Sequence, residues 1–303
     1  RIFTKVWLAL FGQWDWRGIP VLPPELILLP NWFPLNIYEF SSWARATLVP
    51  MFILLTGKPT CPVPDSARID ELYPQPRNRT SYAIPRPAEL WGWRSFFYYA
   101  DKALRLLERW PWKPLRGRAI RATERWIQAH QEADGSWGGI QPPWVYSLLA
   151  LKTLGYSMDH PVMKKGWQGF EGFGIEEGDT WRVQACISPV WDTCLAMIAL
   201  LDAGLPADHP ALQTATRWLL KEQIKAGGDW QVKDPKGPPG GWAFEFENDS
   251  YPDTDDAAEV ILALRQSRLV GTGQEEQRTQ AIDLGVRWLL SVYSDASGTD
   301  TLQ

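Results

Sequence analysis

Apolar positions recur at helical spacing along most of the second two thirds of the chain, and the segments they mark come in pairs. Arg125-Trp126-Ile127, Arg217-Trp218-Leu219 and Arg287-Trp288-Leu289 each sit within a helical pattern. A partner helix repeats too. Leu149-Ala150-Leu151-Lys152-Thr153-Leu154-Gly155 leads to His160-Pro161, and Ile198-Ala199-Leu200-Leu201-Asp202-Ala203-Gly204 leads to His209-Pro210, a pattern offset by 49 residues. A third copy around Leu262-Ala263-Leu264 lacks the His-Pro. Helix pairs of this kind bury a continuous core only when stacked into a solenoid or closed into a ring. The pattern predicts an all-α protein. Gln131 to Gly135-Ser136-Trp137 follows the first Arg-Trp helix, and Gln223 to Gly228-Asp229-Trp230, with one extra residue, follows the second. The Gln amide is expected to satisfy exposed backbone at a helix end while Trp137 or Trp230 packs in the turn.

The first third is less regular. An aromatic and aliphatic segment, Phe3 to Phe11, precedes a stretch broken by Pro20, Pro23, Pro24 and Pro30. Ser41 or Ser42 is expected to cap a helix through Trp43 to Leu55, kinked at Pro50. Residues 57–90, rich in proline and polar side chains, read as a long surface excursion. From Trp91 to Trp112, aromatic and leucine side chains alternate with Arg94, Lys102, Arg105 and Arg109. A basic amphipathic helix this rich in aromatics fits a membrane interface. The competing reading is a core-packed helix with snorkelling cations.

Composition narrows the function classes. A hydrophobic content of 45%, with 22% charged residues and a net charge of −4 without a long basic run, reads as globular and gives no sign of a nucleic-acid partner. Cys61, Cys186 and Cys194 form no CxxC pair, and His130, His160 and His209 are scattered, so neither a disulfide framework nor metal chemistry is expected. No apolar run approaches the ~20 residues that cross a bilayer. The opening Arg1-Ile2-Phe3, in mid-pattern, reads as part of something longer.

The richest chemistry lies in Tyr251-Pro252-Asp253-Thr254-Asp255-Asp256, where three carboxylates fall within four residues. Pro252 pushes its predecessor out of helical geometry, and Asp255 or Asp256 is expected to cap the helix carrying Val260, Ile261 and Leu264 on one face. Carboxylates this close raise one another's pKa and share a proton, while the helix N-terminus opposes that rise. The aromatic frame of Trp242 to Phe246 and Tyr251 would exclude water. Such an acid suits protonation of a weakly basic apolar group such as an alkene, with aromatic faces holding the resulting cation.

Taken together, these segments resemble the squalene–hopene cyclases, class II triterpene cyclases. Gln131 to Trp137 is similar to that family's QW motif, and Asp253-Thr254-Asp255-Asp256 to its DxDD motif. Ser188-Pro189-Val190-Trp191-Asp192-Thr193, Trp137 to Trp144 and Asn36-Ile37-Tyr38-Glu39-Phe40 also correspond. The resemblance implies two incomplete α/α-barrel parts, residues 1–174 and 175–303, with a cavity between them. It implies that Asp255 protonates the terminal double bond of squalene, that Asp253 and Asp256 hold and sharpen it, and that Asp192 belongs to the surrounding polar network. On residue type alone Asp192 reads instead as a helix N-cap. Trp191, Phe244 and Trp43 would stabilise cationic centres, with Phe3 on the same wall. Ile140, Gln141 and Pro142 would lie near the far end, Gln141 helping to position water there.

The resemblance further implies a cofactor-free enzyme giving hopene or hopanol, attached through residues near 91–112 to the cytoplasmic face of a bacterial membrane as a peripheral protein. A homodimer is compatible with it. Two departures stand out: Ala257 replaces the family's usual Thr, and the segment after Arg287-Trp288 lacks both Gln and Trp. The rival readings are a class II diterpene cyclase, which shares DxDD, and a non-catalytic α/α-toroid module.

Overall fold

The computed structural model describes residues 2–110, 112–246, 248 and 250–294. Ten α-helices carry these residues: α1 (Ile2–Leu10), α2 (Ser42–Gly57), α3 (Trp93–Arg109), α4 (Arg116–Ala129), α5 (Gln141–Thr153), α6 (Pro161–Glu171), α7 (Pro189–Asp202), α8 (Pro210–Glu222), α9 (Thr254–Gln266) and α10 (Thr272–Ser294). Both alternate and consecutive helices pack together. α2 lies against α4 and α5, α5 against α6, α7 against α9, and α8 against α10. Their apolar faces form two cores. One gathers Val6, Met51, Phe52, Leu54, Ile127, Trp137, Trp144 and Leu151. The other gathers Val190, Cys194, Leu212, Leu219, Trp242, Val260, Leu264 and Trp288.

The repeat read from sequence is a repeat of geometry. Gly155 and Gly204 close α5 and α7 with φ of +96° and +90°, where a side chain would be strained. The following N–H, of Tyr156 or Leu205, bonds back to Leu151 or Leu200 at 3.1 and 3.0 Å. His160 and His209 then stand at the N-caps of α6 and α8 with proline as the first helical residue.

The Gln–Trp ties need one correction. Trp137 Nε1 donates to the Ile127 carbonyl at 2.7 Å, four residues before Gln131. Its counterpart is Trp242, which donates to Leu219 at 2.7 Å, four residues before Gln223, and not the expected Trp230. The glutamines agree. Gln131 Nε2 reaches Gly135 and Val162 carbonyls at 3.2 and 2.9 Å, and Gln223 Nε2 reaches Gly240 and Ala281 at 2.8 Å each. In both, the first acceptor lies two residues before the tryptophan. Residues 229–232 form a short 3-10 turn inside this long loop, and Trp230 meets Trp288 edge-on. The loop hid the match, because a fixed Gln-to-Trp spacing selects the nearer Gly-x-Trp. Trp242→Ala is therefore expected to lower stability by about 3 kcal/mol, the cost of emptying a buried tryptophan site. Trp230→Ala should cost less than half as much, as urea titrations of both variants will show. The third Arg-Trp segment reaches Trp288 on α10, but the degenerate turn after Ser294 lies outside the described residues.

Not everything is helical. A hairpin, β1 (Gly174–Glu177) and β2 (Thr180–Val183), joins the two cores through antiparallel pairing of Ile175 with Arg182 and Glu176 with Trp181. The two-residue Gly178-Asp179 turn was its available sequence signal. Residues 58–90 form three short 3-10 turns and otherwise extended, mostly exposed chain.

α3 is built inside out. Its buried residues are Ser95 and Asp101, whereas Trp93, Phe96, Phe97, Leu106 and Leu107 are exposed. Asp101 accepts a hydrogen bond from Val21 N at 2.8 Å and from Arg105 Nε at 2.6 Å, and Arg105 also donates to the Ile19 carbonyl. Polar bonds hold the helix down and its aromatic face points away. Core packing, one of the two readings of this segment, does not describe it.

Candidate active site

Asp253, not Asp255 or Asp256, caps α9. Its backbone is extended, and its carboxylate accepts from Asp255 N at 2.8 Å and Asp256 N at 3.4 Å. Pro252 explains the shift, since it confines Tyr251 rather than Asp253 and lets the cap form at the first carboxylate. Asp253 N also donates to the Trp242 carbonyl at 2.8 Å, so the acidic turn is pinned to the buried tryptophan that closes the second core.

The three carboxyls then meet different environments. Asp255 is exposed and Asp256 is 2% exposed. Burial pushes Asp256 up to about 7, and the charges of Asp253 and Asp255 add to the rise. One of its buried oxygens, Oδ1, has no hydrogen-bond partner among the described residues. Burial also raises Asp253, against the hydrogen bonds from the Asp255 and Asp256 amides. On α7, Cys194 is pushed up to about 12 by burial and then by the Asp256 and Glu259 charges. A proton held near neutrality within a carboxyl cluster is what an acid catalyst needs.

These carboxyls form one wall of a cavity of about 300 Å³. Its other walls are Ser42, Trp43 and Ala46 from α2, Gly138 and Ile140 before α5, Trp191 from α7, and Phe244, Asn248 and Tyr251. Both cores contribute. Of the residues singled out in the sequence, Asp253, Asp255, Asp256, Trp191, Phe244, Trp43 and Ile140 converge here.

Four others do not line it. Asp192 lies exposed in the first turn of α7, where Ser188 Oγ donates to it at 3.1 Å. Ser188, rather than Asp192, holds the N-cap position, because Pro189 already opens the helix. Phe3 stacks on Tyr146, with ring centroids 6.2 Å apart. Gln141 N donates to the Ala185 carbonyl at 2.9 Å, and Pro142 is exposed. Ile140, grouped with these two at the far end, shares the carboxyl cavity instead.

Sequence reasoning missed the support behind the acidic turn. Arg45 of α2 pairs with Asp229 at 3.4 Å, and His130 Nε2 contacts the same carboxylate at 3.1 Å. The Arg45 guanidinium lies over the rings of Tyr38 and Tyr251, at 5.0 and 5.8 Å. Burial raises the Tyr251 hydroxyl well above its ordinary range, so it remains a neutral wall of the cavity. No local pattern marks Arg45, Asp229 and His130 as a set, since they meet only when the two cores dock.

Residues 1–179 match the squalene–hopene cyclase N-terminal domain, and residues 187–302 match the squalene–hopene cyclase C-terminal domain. The chain belongs to the squalene–hopene cyclase family. It is 46% identical over 300 residues to the squalene–hopene cyclase of Alicyclobacillus acidocaldarius, covering 98% of this chain and 46% of that protein. It is 42% identical over 299 residues to a dammaradiene synthase of Dryopteris crassirhizoma, covering 98% of this chain and 43% of that one. A squalene–hopene cyclase of Bradyrhizobium diazoefficiens is 36% identical over 301 residues, with 98% and 45% covered. The chain spans about half the length of the curated relatives it matches. The helix pairs described above are the α/α-toroid units of this family.

Proposed function

We propose that this chain carries the acid site of a triterpene cyclase acting on squalene. The observation that supports it best is the carboxyl triad on the wall of an aromatic cavity, with Asp256 held near 7. In the proposed step Asp255, the exposed member of the triad, gives its proton to one carbon of the terminal alkene. The alkene π pair forms the new C–H bond and leaves a tertiary cation at the neighbouring carbon. The next alkene attacks that cation, each ring closure passes the charge on, and the last cation either loses a neighbouring C–H proton to water or adds water, which then releases a proton. Asp253 caps the turn, and Asp256 beside it keeps a proton within the triad near neutrality. The ring faces of Trp43, Trp191 and Phe244 stabilise the moving cation, an interaction worth about 2 kcal/mol or more in a dry site. Hopene or hopanol is the product favoured by the relatives named squalene–hopene cyclase, and Gln141 is assigned to water placement from the motif resemblance alone. Asp192 is assigned to the outer polar network and Phe3, stacked on Tyr146 outside this cavity, to the aromatic surface beyond it.

The test is squalene turnover in detergent, read by mass spectrometry, for the chain alone and fused to the remaining C-terminal part of a relative. A C20 diphosphate is supplied in competition. Cyclised C30 product supports the reading. Product from the C20 diphosphate alone points to a diterpene cyclase, and a folded protein with no product in either form points to a non-catalytic module.

The exposed face of α3 is assigned to a membrane interface on the cytoplasmic side. Trp91 is 90% exposed, Trp110 and Trp112 flank the helix end, and Trp93 stacks on Phe97 at 6.0 Å. No helix among the described residues is long and apolar enough to cross a membrane. Burying an aromatic of this size gains about 1.5–3 kcal/mol, so Trp93→Ser with Phe97→Ser should weaken vesicle binding at least ~10-fold. Co-sedimentation with phosphatidylglycerol vesicles measures it, and unchanged binding would sink this assignment.

A further inference from the structure

The proposed reaction leaves unused two buried carboxyls that meet where the cores dock. Glu132 follows Gln131 in the first core, and Glu245 follows Phe244 in the second; they are 9% and 6% exposed. Their carboxyls are in hydrogen-bond contact. Glu132 also accepts from Gly138 N at 2.8 Å and from Ser136 Oγ. Gly139 has φ of +58°, and a Cβ there would fall on the Glu245 carboxyl. The bond therefore ties the Gly138–Ile140 wall to the segment carrying Phe244, both of which face the cavity.

Two carboxylates cannot accept from each other, so the contact needs a proton between them. Burial is the largest influence on Glu132 and raises it, while hydrogen bonds from Glu245, Ser136 and Gly138 oppose the rise and Asp134 adds to it. The other charged or titratable neighbours do not replace that proton. Lys165 Nζ of α6 donates to the Glu132 backbone carbonyl at 2.8 Å, not to its carboxyl. His130 is turned to Asp229, and the Arg45 guanidinium lies over Tyr251 and pairs with Asp229.

We infer that Glu132 and Glu245 are positioning residues that share one proton and thereby lock the Ile140 and Phe244 walls of the cavity together. As a role in cyclisation this rests on the reading above, but the pairing itself does not. On the chain without substrate, wild type is expected to lose thermal stability as pH rises past the ordinary carboxylate range, because the folded state holds a proton that the unfolded chain releases. In Glu245→Gln the amide donates to the Glu132 carboxylate without a shared proton. Between pH 5 and 8 this variant should lose less Tm than wild type, because the folded state no longer holds the extra proton. Glu132→Gln should behave likewise and serves if the first variant folds poorly. Parallel Tm–pH curves for wild type and both variants would overturn the pairing whether or not squalene is a substrate.

The positioning role is read on the form that turns over squalene. Glu245→Ala should raise the share of incompletely cyclised products several-fold while squalene is still consumed, and Glu245→Gln should restore the wild-type spread. An unchanged spread in Glu245→Ala would overturn that role and leave the pair as a structural tie alone.

Discussion

Asp255→Asn is expected to reduce squalene conversion by about 10⁴-fold, the upper end of what a positioned general acid contributes. The substitution keeps the side chain's size and its place at the cavity wall but removes the transferable proton. Asp253 is the helix cap and Asp256 is buried, so neither can move to the alkene without dismantling the first turn of α9. Binding should be spared, because the aromatic walls are untouched. The signature is therefore a collapse of kcat with squalene retained, measured by product yield alongside binding of a non-reactive polyene. Asp253→Asn should fall between wild type and Asp255→Asn, since an amide oxygen still caps α9 while the triad loses one charge. Activity of Asp255→Asn within ten-fold of wild type would remove Asp255 from its assigned role.

How much of this was legible beforehand depended on distance along the chain. The helix pairs could be read because their apolar spacing, glycine closures and His-Pro starts are local. Val260, Ile261 and Leu264 are buried together, as their period required. The acidic turn was also local, yet its cap was misplaced by two or three residues, because an extended Asp253 directly after Pro252 satisfies the helix end sooner. Gln223 was paired with the wrong tryptophan for a related reason. Spacing selects Trp230, whereas the hydrogen bond to Leu219 is reached only after the loop returns at Trp242. The orientation of α3 could not be decided from periodicity, since an amphipathic stripe is the same whichever face meets the protein. Asp101, bonded to Val21 N across a long stretch of chain, decides it. The Arg45–Asp229–His130 cluster and the Glu132–Glu245 contact were out of reach, because each needs the docking of two cores.

The second large effect is on stability rather than turnover. Asp256 titrates near 7 in the folded protein and near 3.9 in an unfolded chain. Its folded-state pKa is raised, so its contribution to stability is complete below about pH 4 and is lost as pH rises through about 7. A separation of roughly 3 units corresponds to about 4 kcal/mol across that window. Asp256→Asn removes the titration while leaving a neutral side chain of similar shape. At pH 4 the variant and wild type should be of similar stability. By pH 8 the variant should be more stable by about 4 kcal/mol, less whatever relaxation lets water reach the ionised carboxyl. The slope that remains in the variant then belongs to Asp253 and to the Glu132–Glu245 pair, which the Gln substitutions separate. Urea midpoints at half-unit steps from pH 4 to 8 provide the comparison. Parallel curves would mean that Asp256 ionises freely in the folded state. Asp256 would then supply no proton to the triad near neutrality, which would leave Asp253 as the carboxyl that burial raises there.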